Sequence, residues 1–279
     1  MSKQAVARYY DYMVGFYRFW FVSSRASALH YGFSQRRGES FTDTLINTNR
    51  FLAKKAGIKP TDRVLDAGCG LGGSSLWLAS EIGCQVTGIT LSRAQVERAT
   101  KRAAQQGLAA KAQFLVMDYT HTNFPDASFD VVWALESLCY AADKLAFLRE
   151  AYRLLKPGGT LVMGDGFLLR VPRNQREKKQ RERFEHGFVI PPLSTPVEFK
   201  RHLQQASFTH IHFWETTPQI ERSSKRMYWL CLPSYPIAKL LELLHITKPI
   251  LTANNRAGLA QRFLVRRGVA GYGVYTARR

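Results

Sequence analysis

Acidic residues are scarce in this chain. It has 21 Asp and Glu against 40 Lys and Arg, a formal net charge of +19. The deficit is uneven. Residues 1–60 carry 10 basic against 3 acidic side chains, residues 61–169 carry 10 against 11, and residues 170–279 carry 20 against 7. A neutral centre therefore sits between two basic flanks. Such flanks fit a solvated surface, an anionic acceptor, an anionic membrane surface or nucleic acid. Cysteine is sparse too. The four, Cys69, Cys84, Cys139 and Cys231, show no metal-ligand spacing, and they fit a reducing, intracellular compartment. No apolar run reaches the roughly 18 residues of a membrane-spanning helix. The first residues lack the apolar core and cleavage site of a secretory signal. The expected location is cytoplasmic, with peripheral membrane contact left open. Internal repeats and low-complexity tracts are also missing.

What is present is a glycine turn. Arg63, Val64 and Leu65 make a short β-type run that Asp66 closes. Gly68, Gly70, Gly72 and Gly73 then leave few side chains over a sharp turn, and Ser74 and Ser75 open an apolar helical segment. Glycine lets backbone approach a ligand and reach positive φ, and a helix start offers free N–H groups. A dinucleotide site would want G-x-G-x-x-G and an acid at the end of the second strand. Here the spacing is G-x-G-x-G-G, and the second strand ends in Thr90 and Leu91.

Strands and helices alternate around this turn. Strands are expected at 63–66, 85–89, 112–117, 130–134 and 160–163, later joined by 210–215 and 271–276. Helices are expected at 73–82, from Ser92 to Gln106 and from Lys144 to Leu155, where Lys156-Pro157-Gly158-Gly159 stops the last. That rhythm implies a mostly parallel α/β sheet with helices on both faces. Before it, Tyr9, Tyr12, Met13, Phe16, Tyr17 and Trp20 recur at helical spacing, which predicts an amphipathic lid or membrane-surface helix within residues 4–31. A second helix spans 41–57, stopped by Gly57. The expected organisation is a helical lid over 1–60, an α/β core over 61–218, a helical cap over 219–264 and a last core strand over 265–279. Residues 170–195 are expected to be basic and mobile. Pro233, Pro236 and Pro249 are expected to break the cap into two or three helices.

In such a sheet, ligands bind at the carboxyl ends of the strands. Those ends bring together Asp66, Thr90, Asp118 with Tyr119, and Leu135 with Glu136. DAGCGLGG, residues 66–73, resembles motif I of the class I S-adenosylmethionine (SAM) methyltransferases. GITLSRAQVERA, residues 88–99, and LKPGG, residues 155–159, are similar to the tocopherol, sterol side-chain and prenyl-diphosphate C-methyltransferases. The cyclopropane fatty acid synthases are a more distant likeness. The resemblance implies a Rossmann-like sheet of seven strands with an antiparallel last strand, N-terminal helices, a helical cap, and SAM as cofactor. It places Asp66 near the methionyl amine, and Gly68, Cys69 and Gly70 along the methionine portion. Thr90 and Gln95 fall at the ribose. Asp118 and Tyr119 fall near the adenine, and Leu91 and Leu135 are further expected cofactor contacts. Tyr31, in the His30-Tyr31 pair, corresponds to a segment that closes over SAM.

Glu136 lies in WALESLCY, residues 133–140, which resembles the acidic E-S-x-x-Y stretch of the prenyl-diphosphate enzymes. The resemblance makes it a catalytic base. A carboxylate there suits alkene methylation, which creates a carbocation that must be stabilised or deprotonated. The same Glu could activate a hydroxyl for O-methylation, or only orient SAM. The expected acceptor is a small lipophile of isoprenoid type, with Arg170, Arg173, Arg176, Lys178, Lys179 and Arg181 as candidates for holding a diphosphate. Nucleic acid is disfavoured, because neither an Asn/Asp-Pro-Pro-aromatic motif nor a Pro-Cys nucleophile follows strand 4. A non-catalytic SAM-binding module is the remaining class. The histidines are not clustered, and no metal is expected.

Overall fold

The structure is a computed structural model that describes residues 3–20, 29–36 and 38–279, with the backbone alone for 3, 14 and 17–20. Two helices precede the sheet, α1 (Lys3–Trp20) and α2 (Phe41–Ala56). The expected aromatic helix is therefore present as far as Trp20. The side chains of Tyr17 and Trp20, and residues 21–28, lie outside the described residues. Local chemistry sets the ends of α2. Ser40 and Asp43 form a reciprocal capping box, and Gly57 ends the helix at φ 66°.

The sheet then begins with β1 (Arg63–Ala67), α3 (Gly73–Trp77) and a wider helical turn at Leu78–Ile82. β2 (Gln85–Thr90), α4 (Arg93–Gln105), β3 (Ala112–Val116), β4 (Phe129–Leu135), α5 (Lys144–Leu154) and β5 (Leu155–Leu168) follow. After these come α6 (Gln175–Gly187), α7 (Pro196–Gln205), β6 (Thr209–Glu215), α8 (Thr217–Leu243), α9 (Pro249–Arg266) and β7 (Ala270–Arg278). The seven strands lie in the order β3-β2-β1-β4-β5-β7-β6. β1 to β5 are parallel, and β7 runs antiparallel between β5 and β6.

Alternate residues of the central strands feed two cores. Val64, Val131, Trp133 and Val162 pack on one face, against Leu52 and Leu76. Leu65, Val132, Ala134, Leu161 and Met163 pack on the other, against Phe147 and Phe199. Both faces are covered, so every residue of β4 but Asp130 is buried. A third cluster joins Leu168, Ile190 and Leu193 to Leu264 and Val269, fastening α6 and α9 to the end of β5.

Three expectations change. β5 starts at Leu155 rather than Thr160, because Leu155 already pairs with Phe129 across a register shift. Residues 170–195, expected to be mobile, contain α6, which packs along α9. Pro233 and Pro236 do not break the cap: α8 runs through both. Both prolines are solvent-exposed, so the carbonyls they leave unbonded face water. Pro249 does start a new helix, at its first turn, where a missing N–H does no harm.

Candidate active site

The carboxyl ends of β1, β2, β4 and β5 open into one cavity. The glycine turn forms its floor. Gly68, Gly70 and Gly72 take φ of 89°, 53° and 77°, and a Cβ on Gly72 would lie 2.9 Å from the Phe114 ring. At Gly70 a Cβ would meet nothing nearer than Gln95 Nε2 at 4.0 Å, so the backbone there is open to a ligand. Asp66 is buried beneath the turn, 3% exposed. Its carboxylate accepts from the Ser75 hydroxyl at 2.6 Å, and burial pushes it up to about 7. On the β2 side the Thr90 hydroxyl donates to Gln95 Oε1 at 2.7 Å. Ser92 caps α4 by accepting from the Gln95 N–H, and its hydroxyl donates to Asp11 of α1.

Glu136 stands at the far end of the cavity. It is a non-glycine residue with φ of 50°, held there by a 2.8 Å bond from its N–H to the Gly164 carbonyl. Its Oε1 accepts from the Tyr31 backbone N–H at 2.6 Å and from the Tyr272 hydroxyl at 2.9 Å. Burial pushes the carboxyl up to about 8, and Asp165 adds to the rise. Asp165, 4% exposed, also lines the cavity. It accepts from the N–H groups of Cys139 and Gly166, both at 2.8 Å, and burial raises it as well. Two lining polar atoms, His30 Nε2 and Ser137 Oγ, are buried without a partner among the described residues. His30 gives its Nδ1 proton to the Tyr31 carbonyl, and burial lowers it to about 4, so Nε2 is a bare acceptor.

Most of the other described lining residues are apolar. Val6, Ala7 and Tyr10 come from α1, Phe184, Phe188, Ile190 and Leu193 from α6 and its loop, and Met227 and Cys231 from α8. No Lys or Arg is among the described residues that line it.

Residues 65–163 match the Methyltransferase domain family. The chain carries a class I methyltransferase domain. Relatives extend beyond that stretch. The 2-methyl-6-phytyl-1,4-hydroquinone methyltransferase of Synechocystis sp. is 40% identical over 154 residues, 54% of this chain and 45% of that protein. The cycloartenol-C-24-methyltransferase of Arabidopsis thaliana is 32% identical over 216 residues, 75% of this chain and 61% of that protein. The chain thus spans less than two thirds of the length of these curated relatives. Among solved structures, the [4+2]-cyclase SpnF superposes with a TM-score of 0.84 at 24% identity, over 100% of this chain and 96% of that one. The methyltransferase fold is therefore shown over the whole chain, and the likeness to a cyclase shows that the fold leaves the reaction open.

The methyltransferase domain brings most of the expected residues together. Tyr31, Asp66, Gly68, Cys69, Gly70, Thr90, Leu91, Gln95, Tyr119, Leu135 and Glu136 all line the cavity. Asp118 does not. Its Oδ1 accepts from the N–H and hydroxyl of Thr120, at 2.9 and 2.8 Å. That is the geometry of an acid tying a turn. The basic candidates are also elsewhere. Arg170 makes paired bonds to Glu177, Arg181 bonds Glu185, and Arg176 lies over the Phe263 ring. Their partners are on the outer helices, so they do not form a diphosphate site in the cavity.

Sequence reading missed Asp165 and Tyr272. Asp165 carried a signal, since it follows an apolar strand in Gly-Asp-Gly and strand ends converge here. Tyr272 carried none. It begins β7, and only the antiparallel register, which pairs it with Gly166, puts it beside the end of β5.

Proposed function

We propose that this protein transfers a methyl group from SAM to a small lipophilic acceptor of isoprenoid type, through a carbocation that Glu136 stabilises or deprotonates. The observation that carries the reading is the placement of Glu136. It is a buried carboxyl between a glycine cradle and apolar walls, in a cavity where no Lys or Arg is among the described lining residues.

The cradle fits SAM on chemical grounds. Buried Asp66, with one neutral hydroxyl donor, is suited to an ammonium group. Thr90 and Gln95 offer neutral polar groups for ribose hydroxyls, and Tyr119 and Leu135 offer flat apolar contact. The unpartnered His30 Nε2 and Ser137 Oγ offer further hydrogen bonds. When bound, SAM supplies a methyl group carried on a positively charged sulfur. Helix α1 and the apolar wall exclude water, which strengthens each charge interaction inside. Transfer of the methyl group to an alkene carbon would break the methyl–sulfur bond, leave S-adenosylhomocysteine, and put the positive charge on the acceptor. Glu136 faces that charge and takes the proton whose loss restores a neutral alkene. Tyr31 and Tyr272 hold the carboxylate oriented for both roles. In this scheme Asp118, whose Oδ1 is bonded to Thr120, meets the adenine amino group through its Oδ2.

Among the described residues, three carboxylates and no Lys or Arg line the cavity, so these residues offer a diphosphate no counter-charge. Such a lining favours an acceptor that is uncharged where it meets Glu136. Peripheral contact with an anionic membrane is part of this proposal. None of the described helices is long and apolar enough to cross a bilayer, and the net charge of +19 favours anionic surfaces. A second reading is O-methylation. A carboxyl pushed up to about 8 is also suited to removing a hydroxyl proton.

Methyl-labelled SAM incubated with sterols, quinols, prenyl alcohols, prenyl diphosphates and fatty acids tests the proposal. Label should enter an uncharged lipophile, and the position of the methyl group in the product separates carbon from oxygen transfer. Label entering only diphosphates would overturn the acceptor reading. Tight SAM binding with no transfer to any of them would identify a non-catalytic module.

A further inference from the structure

Seven of the eleven large apolar side chains that stand exposed among the described residues fall between Trp229 and Ile246. Along α8 they are not scattered. Trp229, Leu232, Pro236, Leu240 and Leu243 follow one another in steps of three or four, so they form one outward stripe. Ile237 and Leu244 widen it, and Ile246 extends it into the turn before α9. Leu243 and Ile246 are each 65% exposed. The opposite face of the same helix supplies Met227 and Cys231 to the cavity. The stripe is thus surplus to the fold, and contiguous exposed apolar surface of this kind marks an interaction site.

Charge identifies what fits it. One turn before the apolar stripe, the same outward face carries exposed Arg222, Lys225 and Arg226. Beyond it stands Lys248. The acids of the segment are Glu221 and Glu242, and both are neutralised, by Arg262 and Lys239. A second copy of the chain would bring basic against basic, with +19 on each side. Pro233 and Pro236 further limit how deep the stripe can go. They leave the carbonyls of Trp229 and Leu232 without helical partners, and hydrocarbon does not tolerate that. The interfacial zone, where water remains, does.

We propose that the outward face of α8, from Arg222 to Ile246, docks in the plane of an anionic lipid surface. The apolar stripe enters the headgroup boundary and the basic turn meets the lipid charges. This names the surface for the peripheral contact of the proposed function. It places the wall of the acceptor cavity directly against the phase in which a lipophilic acceptor resides.

The test is co-sedimentation of the full chain with phosphatidylcholine vesicles, with and without phosphatidylglycerol, in the absence of acceptor, so that its outcome is separate from that of methyl transfer. The wild type should pellet with the anionic vesicles at low salt, and added salt should weaken it. Leu240→Glu combined with Leu243→Glu should lower partitioning by roughly tenfold or more, with melting temperature and SAM binding unchanged. Arg222→Glu with Lys225→Glu should weaken binding to the anionic vesicles alone. No binding of the wild type at low salt would overturn the proposal. So would equal binding by the leucine variant. A wild-type dimer in ultracentrifugation that the leucine variant loses would show that the face joins two copies instead.

Discussion

The backbone N–H of Tyr31 donates to Glu136 Oε1 at 2.6 Å, across 105 residues of chain. The strap after α1 and the end of β4 therefore meet at one oxygen, and Tyr272 from β7 meets them there at 2.9 Å. An acid in a left-handed backbone conformation keeps its place only if its surroundings hold it. Here three separate parts of the chain do so. The orientation of the Glu136 carboxyl is set by these contacts.

Glu136→Gln should spare SAM binding and depress turnover. Both donors use Oε1, which the amide oxygen of Gln can replace, so the site keeps its shape and loses its proton acceptor. A fall of about 10²–10⁴-fold in kcat is expected for loss of a positioned base, with the SAM Kd measured by calorimetry unchanged. Unaltered kcat would remove Glu136 from the mechanism.

Stability without ligand should fall as pH rises. Asp66 stands at about 7 and Glu136 at about 8 in the fold, against ordinary values of 3.8 and 4.5. Folding therefore favours their protonated forms. The unfolded chain releases these two protons first, so the stability they contribute is full below about pH 4, is lost up to about pH 7–8 and levels beyond. Glu150, which burial raises but Arg153 lowers to about 2, acts the opposite way at low pH. The loss from the two groups is at most about 9 kcal/mol, at about 1.4 kcal/mol per pKa unit. Melting temperatures across this range check it, and Asp66→Asn and Glu136→Gln should each flatten the curve.

Gly68→Ala should damage both fold and cofactor site. The residue sits at φ 89°, and a Cβ there would run into the Ser137 side chain. Strain and clash together should cost about 2–4 kcal/mol. Urea unfolding would measure that loss, and a stability equal to wild type would mean that the turn is not built as described.

Asp11→Ala should loosen the lid without unfolding the core. It removes the bond from the Ser92 hydroxyl that fastens α1 to the start of α4. A hydrogen bond to a charged group is worth about 1.5–3 kcal/mol, so SAM should leave roughly tenfold faster or more in stopped-flow release. Little change in melting temperature is expected, since α1 lies outside the sheet.

Arg170→Ala should leave the acceptor KM unchanged. Its guanidinium is spent on Glu177 and on the Arg267 carbonyl, far from any cavity-lining carboxylate. A KM rise specific to diphosphate acceptors would restore this segment as an anion site.

Much of this architecture was open to reading along the chain, because its determinants are local. Val64 and Leu65 alternate between two cores by strand geometry alone. Ser92, Gly57 and Thr195 mark helix ends through bonds to residues three or four positions away. The cradle was legible for the same reason. Its four glycines fall within six residues, and Asp66, Thr90 and Glu136 reach it by the rule that parallel strands end on one edge.

The parts that eluded the chain depend on direction and partnership. Tyr272 joins Glu136 only because β7 runs antiparallel. Asp118 has a strand-end position, and its Oδ1 also ties the turn at Thr120. Arg170 and Arg181 read as free cations until Glu177 and Glu185 are seen beside them. α8 continues through two prolines because both face solvent. The sequence by itself determined the donor end of the site, where function rests on backbone shape and on residues a few positions apart. Tertiary structure alone decided the acceptor end. There the charge balance, the apolar wall and the base depend on which side chains meet across a hundred residues or more, and no local pattern encodes such a meeting.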